Sequence, residues 1–237
     1  MAALIPFLPG EHPPQGDVIN ATQGGVALAQ LDGILASITL PTPAAITPYG
    51  DLAHCHPLIP DPLLALTKLP GSPTEIAPIR ALVEQVIADV PLLYSTLPQQ
   101  IIHGDFAISN FLMSNGQITA ILDFDLAGRD LRALDLVVAL SWWPLERFAT
   151  GNEWPILDAL GHAYLAHASL TASELSAIPR LMRLRDITSL VHRLGRYLAG
   201  QESEQPMQVR MQHSLWREGW LHHHEERLQT MTLAWLQ

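Results

Sequence analysis

The residues whose types and spacing most directly specify a chemistry are Asp105, Asn110 and Asp123. They sit in Ile101-Ile102-His103-Gly104-Asp105-Phe106-Ala107-Ile108-Ser109-Asn110 and in Ile121-Leu122-Asp123-Phe124-Asp125. An aspartate, an asparagine five residues on and a second aspartate thirteen beyond that is the layout of a magnesium-dependent phosphoryl-transfer site. Asp105 would accept a hydrogen bond from an acceptor hydroxyl, aim its oxygen at the γ-phosphorus of ATP and take the proton late. Alone it would read as a turn aspartate bonding its own backbone; the combination decides. Asn110 offers a neutral oxygen and Asp123 an anionic one, both hard ligands of the kind Mg2+ prefers. Asp125 has two readings, a contact to a second metal or metal-bound water, and a turn residue before Gly128. His103 follows two isoleucines, so its ring is expected to pack inward and bond backbone carbonyls rather than act as a base. Asp135 lies in the apolar run Leu134-Asp135-Leu136-Val137-Val138, where a carboxylate is costly unless paired. It is expected to accept backbone N–H bonds from the loop that carries Asp105.

These side chains need elements to hold them. Residues 98–102 read as a strand leading into the His-Gly-Asp loop. Residues 111–113 and 118–122 read as two strands across a turn at Ser114-Asn115-Gly116, because Asn-Gly tolerates positive φ at both positions. Asp123 then falls at the end of the last strand, and the hairpin brings all three polar groups to one edge. Upstream, residues 3–8 read as a short strand, 23–38 as a helix with one apolar face, and 40–73 as a proline-rich connection. A helix over 74–90 has Thr74 as its cap. Downstream the pattern predicts helices over 131–142, 153–168, 174–199 and 207–235, with a capping box at Thr171-Ala-Ser-Glu174. The fold class is α+β, mainly helical with a small catalytic hairpin.

Composition narrows the partners. The chain of 237 residues is 48% hydrophobic and 15% charged, with formal net charge -10. That balance argues against a nucleic-acid partner, which needs cations to replace counterions, and suits a neutral or cationic substrate. Cys55 is the only cysteine, so no internal disulfide forms, and a reducing cytoplasm fits. No apolar run reaches the ~18 residues that span a bilayer, so no membrane partner is expected. His54-Cys55-His56 and the run His222-His223-His224-Glu225-Glu226 could suggest a transition metal; loop neighbours such as the first three can converge, but successive helical residues diverge, and both runs read rather as ordinary polar residues. Most of the six tryptophans read as packing residues, with one or two available to an acceptor pocket.

His103-Gly104-Asp105-x4-Asn110, then Ile121-Leu122-Asp123-Phe124-Asp125, then Asp135-Leu136 in a helix, resembles the aminoglycoside phosphotransferase/choline kinase-like enzymes. These belong to the wider protein-kinase-like fold, and the homoserine-kinase and aminoglycoside-phosphotransferase types look most similar. The resemblance implies a small-molecule kinase that uses ATP and Mg2+ on a hydroxyl of a small metabolite or aminoglycoside-like acceptor, with Asp105 as catalytic aspartate and Asn110 and Asp123 as metal ligands. The opening Ala3-Leu4-Ile5-Pro6-Phe7-Leu8-Pro9-Gly10 looks like the family's hinge strand, which implies adenine contacts at Pro6, Phe7 and Leu8. Leu28-Ala29-Gln30-Leu31-Asp32 looks like the following helix, where the family often has Leu-Ala-x-Leu-His. The implied layout is one kinase-like C-lobe over 1–237: hinge remnant 1–22, helical and proline-rich segment 23–97, catalytic and metal loops 98–129, and helical subdomain 130–237. The phosphate-covering loop and its lysine, which the family places before the hinge, have no counterpart, since Lys68 is the only lysine. Two other readings therefore stand beside the kinase: a truncated, non-catalytic binding module, and a Mg-dependent hydrolase. An exposed hinge edge also predicts self-association through the N-terminal strand.

Overall fold

The computed structural model describes residues 7–39 and 46–237. The chain passes through α1 (Val18–Leu35), α2 (Pro62–Ala65), a 3-10 turn (Leu66–Lys68), α3 (Pro73–Thr96) and β1 (Gln99–Ile102). Then come β2 (Phe111–Ser114), β3 (Gln117–Ile121), β4 (Gly128–Leu131) and α4 (Ala133–Trp142). The chain ends with α5 (Glu153–Leu165), α6 (Ala172–Ser176), α7 (Ile178–Leu198) and α8 (Glu204–Ala234). The fold is α+β: a helical body with two antiparallel strand pairs, β1 with β4 and β2 with β3. Among the described residues no helix is long and apolar enough to cross a membrane.

The hairpin forms where the Asn-Gly pair predicts it. Asn115 and Gly116 take φ of 52° and 74°, which matches the twist of the flanking strands. Phe111 lies opposite Ile121 and Ser114 opposite Gln117. β4 was not expected, because Gly-Arg-Asp-Leu lacks the β-branched and aromatic residues that mark strands. Its pairing of Ile102 with Gly128 and of Gln99 with Leu131 closes the far side of the catalytic loop.

Four further expectations need correction. The strand placed at 3–8 falls partly outside the described residues, which exclude Pro6; Phe7 and Leu8 are exposed and not in a strand. Pairing occurs instead at Glu11, whose N–H donates to the Met113 carbonyl (2.9 Å) and whose carbonyl accepts from Met113 N–H (2.8 Å). The cap of α3 is Ser72, not Thr74: Glu75 N–H reaches Ser72 Oγ and Glu75 Oε2 accepts from Ser72 N–H. The helix runs on through Pro91 to Thr96 because Leu93 beyond it is buried, and packing outweighs the one donor that proline removes. The helix expected over 174–199 is two, α6 and α7, with Pro179 in the first turn of α7, where its missing N–H costs nothing. The proline-rich stretch is, from residue 46 on, a connection of turns and two short helical segments as expected, and it buries Leu52, Ile59, Leu66 and Leu69 in the core.

α1 packs against α5 through Gly25. A Cβ there would lie 2.4 Å from the Leu160 carbonyl oxygen, backbone against backbone. The close approach lets Asp32 of α1 meet Tyr164 of α5, whose hydroxyl donates to Asp32 Oδ2 at 2.7 Å. Gly25→Ala is expected to destabilise the protein by about 1–3 kcal/mol, because a backbone oxygen cannot yield cheaply. Chemical denaturation checks it, and an unchanged midpoint would show that the two helices are not held at that separation.

Candidate functional site

The His103-Gly104-Asp105 turn leaves β1 and is held from below by one carboxylate. Asp135, at the start of α4 and 0% exposed, accepts from His103 N–H (Oδ2, 2.6 Å) and Gly104 N–H (Oδ1, 2.7 Å). Both amides can point at it because Gly104 takes φ of +79° and comes so close to Leu126 that a Cβ would lie 2.6 Å from its carbonyl oxygen. From above, the Tyr49 hydroxyl donates to the Gly104 carbonyl at 2.6 Å. Burial raises the Tyr49 phenol well above its ordinary range, so it keeps that proton.

His103 is fully buried and joins the two loops of the site. Its Nε2 lies 3.0 Å from the Leu122 carbonyl, which can only accept, so Nε2 carries the hydrogen. Nδ1 then accepts from Asp105 N–H at 3.2 Å. Both ring nitrogens are thus occupied in positioning. Asn110 turns its NH2 to Asp105, donating to the backbone oxygen (2.8 Å) and to Oδ2 (2.9 Å). That orientation leaves the Asn110 amide oxygen for another ligand. The Asn110 carbonyl accepts from Leu122 N–H at 2.8 Å, which sets Asp123 beside it. Asp123 lies two residues past the end of β3, not on it, in the left-handed region at φ 63°, which aspartate tolerates better than most residues. Asp125 N–H turns back to Asp123 Oδ1 at 3.3 Å, and both carboxylates are exposed. The Asn110 amide oxygen and the Asp123 and Asp125 carboxylates are hard oxygen donors of the kind Mg2+ prefers, although no group of three or more His, Cys, Asp or Glu side chains converges on one point among the described residues.

Asp105 opens onto a cavity of about 420 Å3. One wall is a single face of α7, where Arg185, Thr188, Ser189 and His192 recur at helical spacing. Trp142 lines the cavity too, and so do Tyr49 and Asp130. The cavity also receives Cys55, whose thiol burial pushes up to about 11. Asp130 is a structural residue: it accepts from the N–H groups of Tyr49 and Leu131 and from the Tyr94 hydroxyl. Sequence reasoning missed Tyr49, Asp130 and the α7 face. The last left a usable signal, four polar residues at i, i+3, i+4 and i+7 in a helix whose buried positions are mostly apolar. Lys68 is exposed and lies outside the cavity lining.

Beneath the loop, Asp135 meets a second buried carboxyl, Asp32, in the place where the resemblance leads one to look for histidine. Burial and the neighbouring Asp135 raise Asp32 well above the usual carboxylate range. Burial raises Asp135 as well, but the His103 and Gly104 amides oppose it. Asp135 therefore holds the negative charge and Asp32 the shared proton.

The His103-Gly104-Asp105 loop, the Asp123 turn and the helical subdomain in this arrangement match a protein-kinase-like lobe. Residues 2–164 match the phosphotransferase enzyme family, and the chain belongs to that family. It is 30% identical over 202 residues to a homoserine kinase of Chelativorans sp. (strain BNC1), covering 83% of this chain and 58% of that enzyme. The chain spans little more than half the length of such curated relatives. Among solved structures it resembles a microcompartment-associated aminopropanol kinase (TM-score 0.65, 19% identity, 90% of this chain and 65% of that one). It also resembles an aminoglycoside phosphotransferase from Alicyclobacillus acidocaldarius (TM-score 0.64, 16% identity, 95% and 70%). At these identities the structural likeness concerns the fold.

The Asp32 proton makes stability depend on pH in a defined sense. Its value is raised by folding, so the stability tied to protonation is complete below about 3.9, the value of an unfolded aspartate. That stability is lost as pH rises through the raised value. Asparagine at 32 keeps a donor for Asp135 and has no proton to lose. Asp32→Asn is therefore expected to gain on the wild type in melting temperature as pH rises above that of an unfolded carboxyl, and to level off beyond the raised value. Thermal unfolding across pH tests this, and parallel curves would remove the shared proton.

Proposed function

We propose that this chain carries the acceptor and metal side of a small-molecule kinase, which moves the γ-phosphoryl group of ATP to a hydroxyl of a small metabolite. The observation that carries the reading is the Asp105–Asn110 bond at the mouth of the cavity. It fixes a carboxylate where an acceptor hydroxyl in the cavity would reach it, and leaves the Asn110 amide oxygen free of protein donors. Asp105 orients the hydroxyl and takes its proton as the oxygen–phosphorus bond forms and the bond to the departing ADP breaks. Asn110 and Asp123 would hold Mg2+, with Asp125 beside them; when bound, the ion supplies charge neutralisation on the phosphate oxygens. Phe7 and Leu8, exposed beside the Glu11 pairing, remain available for the adenine contacts that the resemblance implies, together with Pro6. The names of the relatives, homoserine kinase and aminopropanol kinase, support a small hydroxylated acceptor.

Transfer of label from γ-labelled ATP to a panel of hydroxylated metabolites tests this. Asp105→Asn is expected to lower kcat by about 100-fold or more, the range for a lost positioned base. Chelation of Mg2+ is expected to abolish transfer and its return to restore it. Transfer that Asp105→Asn leaves unchanged, or ATP hydrolysis with no phosphorylated acceptor, would sink the reading.

A further inference from the structure

Two arginines line the cavity beside Asp105, the exposed Arg129 and the buried Arg185, and phosphoryl transfer alone provides no use for the buried one. Arg185 is 8% exposed, lines the cavity and has its guanidinium carbon 4.9 Å from the centre of the Trp142 ring. Among the described residues it makes no hydrogen bond or ion pair. A guanidinium brings five N–H donors, and those of Arg185 are not sealed in the protein but open onto the cavity.

The nearby carboxylates are committed elsewhere. Asp186, next in sequence, accepts from Arg210 at both its side chain (2.7 Å) and its backbone oxygen (2.6 Å). Burial alone would raise Asp186, yet Arg210, Ser214, Arg217 and Arg185 itself hold it below the usual range; its hydrogen bonds go to Arg210, Arg185 contributes charge without a bond, and Oδ2 stays unbonded. Both oxygens of Asp130 accept from Tyr49, Tyr94 and Leu131. Asp105 is bonded to Asn110 and stands at the transfer position. His192, on the same face of α7, adds no counter-charge: burial lowers it, so it is neutral at physiological pH.

We propose that Arg185 anchors a carboxylate of the acceptor, so that the acceptor is a small hydroxy acid or hydroxy amino acid rather than a cationic amino alcohol. This rests on the kinase reading for the fate of the hydroxyl. The planar guanidinium matches a carboxylate bidentately, and the Trp142 ring fixes its plane. Tyr49 sets the two ends of the site relative to each other. Its hydroxyl holds the Gly104 carbonyl, and its own carbonyl accepts from Thr188 Oγ1 at 2.6 Å, one turn along α7 from Arg185. The separation of carboxylate anchor and Asp105 is therefore a fixed ruler for the acceptor. A cavity of about 420 Å3 suits a small metabolite.

Binding without nucleotide tests the anchor apart from turnover. Calorimetry and tryptophan fluorescence on the 237-residue chain compare hydroxy acids and hydroxy amino acids, homoserine among them, with their amides and with the matching amino alcohols. The acids are expected to bind at least about tenfold more tightly than the amides, the worth of one charge-assisted bond. Arg185→Met is expected to erase that preference with the melting temperature kept, and Arg185→Lys to restore part of it. In turnover, Arg185→Met is expected to raise KM for the acid and leave kcat nearly unchanged. Equal binding of acid and amide, tighter binding of amino alcohols, failure of every acid to bind, or full acid binding by Arg185→Met overturns the proposal. If Arg185→Met fails to fold, the acid-to-amide ratio of the wild type and of Arg185→Lys decides. Acid preference without phosphoryl transfer upholds the anchor and overturns the kinase reading.

Discussion

Two backbone N–H groups aimed at one buried carboxylate set the geometry on which the rest of the site depends. Asp135 receives His103 and Gly104 at 2.6 and 2.7 Å in a place sealed from water. Burying a carboxylate costs several kcal/mol even after relaxation. Charge-assisted bonds of about 1.5–3 kcal/mol each offset much of that, and the Asp32 proton removes what would otherwise be a like-charge clash. The constraint spreads outward. With the turn fixed, the His103 ring reaches Leu122, the Asn110 carbonyl takes Leu122 N–H, and Asp123 is delivered to the same edge as Asp105. It also spreads inward, because Asp32 is bonded to Tyr164 and so requires the close approach of α1 and α5 at Gly25.

What could be read in the sequence was whatever depends on local geometry. The Asn-Gly turn, the spacing of Asp105, Asn110 and Asp123, and a carboxylate in an apolar helix are each short-range patterns with one cheap structural solution. Helix ends were harder, since Ser72 and Thr74 are both good caps and only the reciprocal bond to Glu75 chooses between them. β4 was invisible, because its four residues form a strand only when β1 is placed against them. Tyr49 lies in a proline-rich stretch without periodicity, and its three contacts, to Gly104, Asp130 and Thr188, are to residues 55, 81 and 139 positions away. Nothing local distinguishes such a residue from a solvent-exposed loop tyrosine.

The departure at Asp32 shows how one substitution shifts the chemistry of a support without altering its shape. A histidine beside Asp135 would be a donor by virtue of its ring N–H. An aspartate there becomes a donor only by keeping a proton that water would remove, and burial supplies that condition. The Tyr164 hydroxyl completes the arrangement, since it satisfies one Asp32 oxygen and leaves the other facing Asp135. The catalytic loop thus rests on a carboxyl pair that carries a single negative charge.

Net charge and the charge of the cavity wall point in different directions. A chain at -10 suggests a neutral or cationic ligand, yet the α7–α8 side of the cavity is locally positive. Arg185, Arg210 and Arg217 gather around the one carboxylate of Asp186, and Arg217, which burial lowers to about 10, is still charged near neutrality. The contradiction resolves with distance and dielectric. Exposed acidic residues act through water, and salt screens them beyond about 8 Å. A guanidinium in a cavity wall acts at contact, where the effective dielectric is several-fold lower than in water. A composition counts both kinds of charge equally, but a bound ligand responds mainly to the second. The field that an acceptor would meet beside Asp105 is therefore set by the arginines of that wall, the exposed Arg129 and the buried Arg185 beside the Trp142 ring.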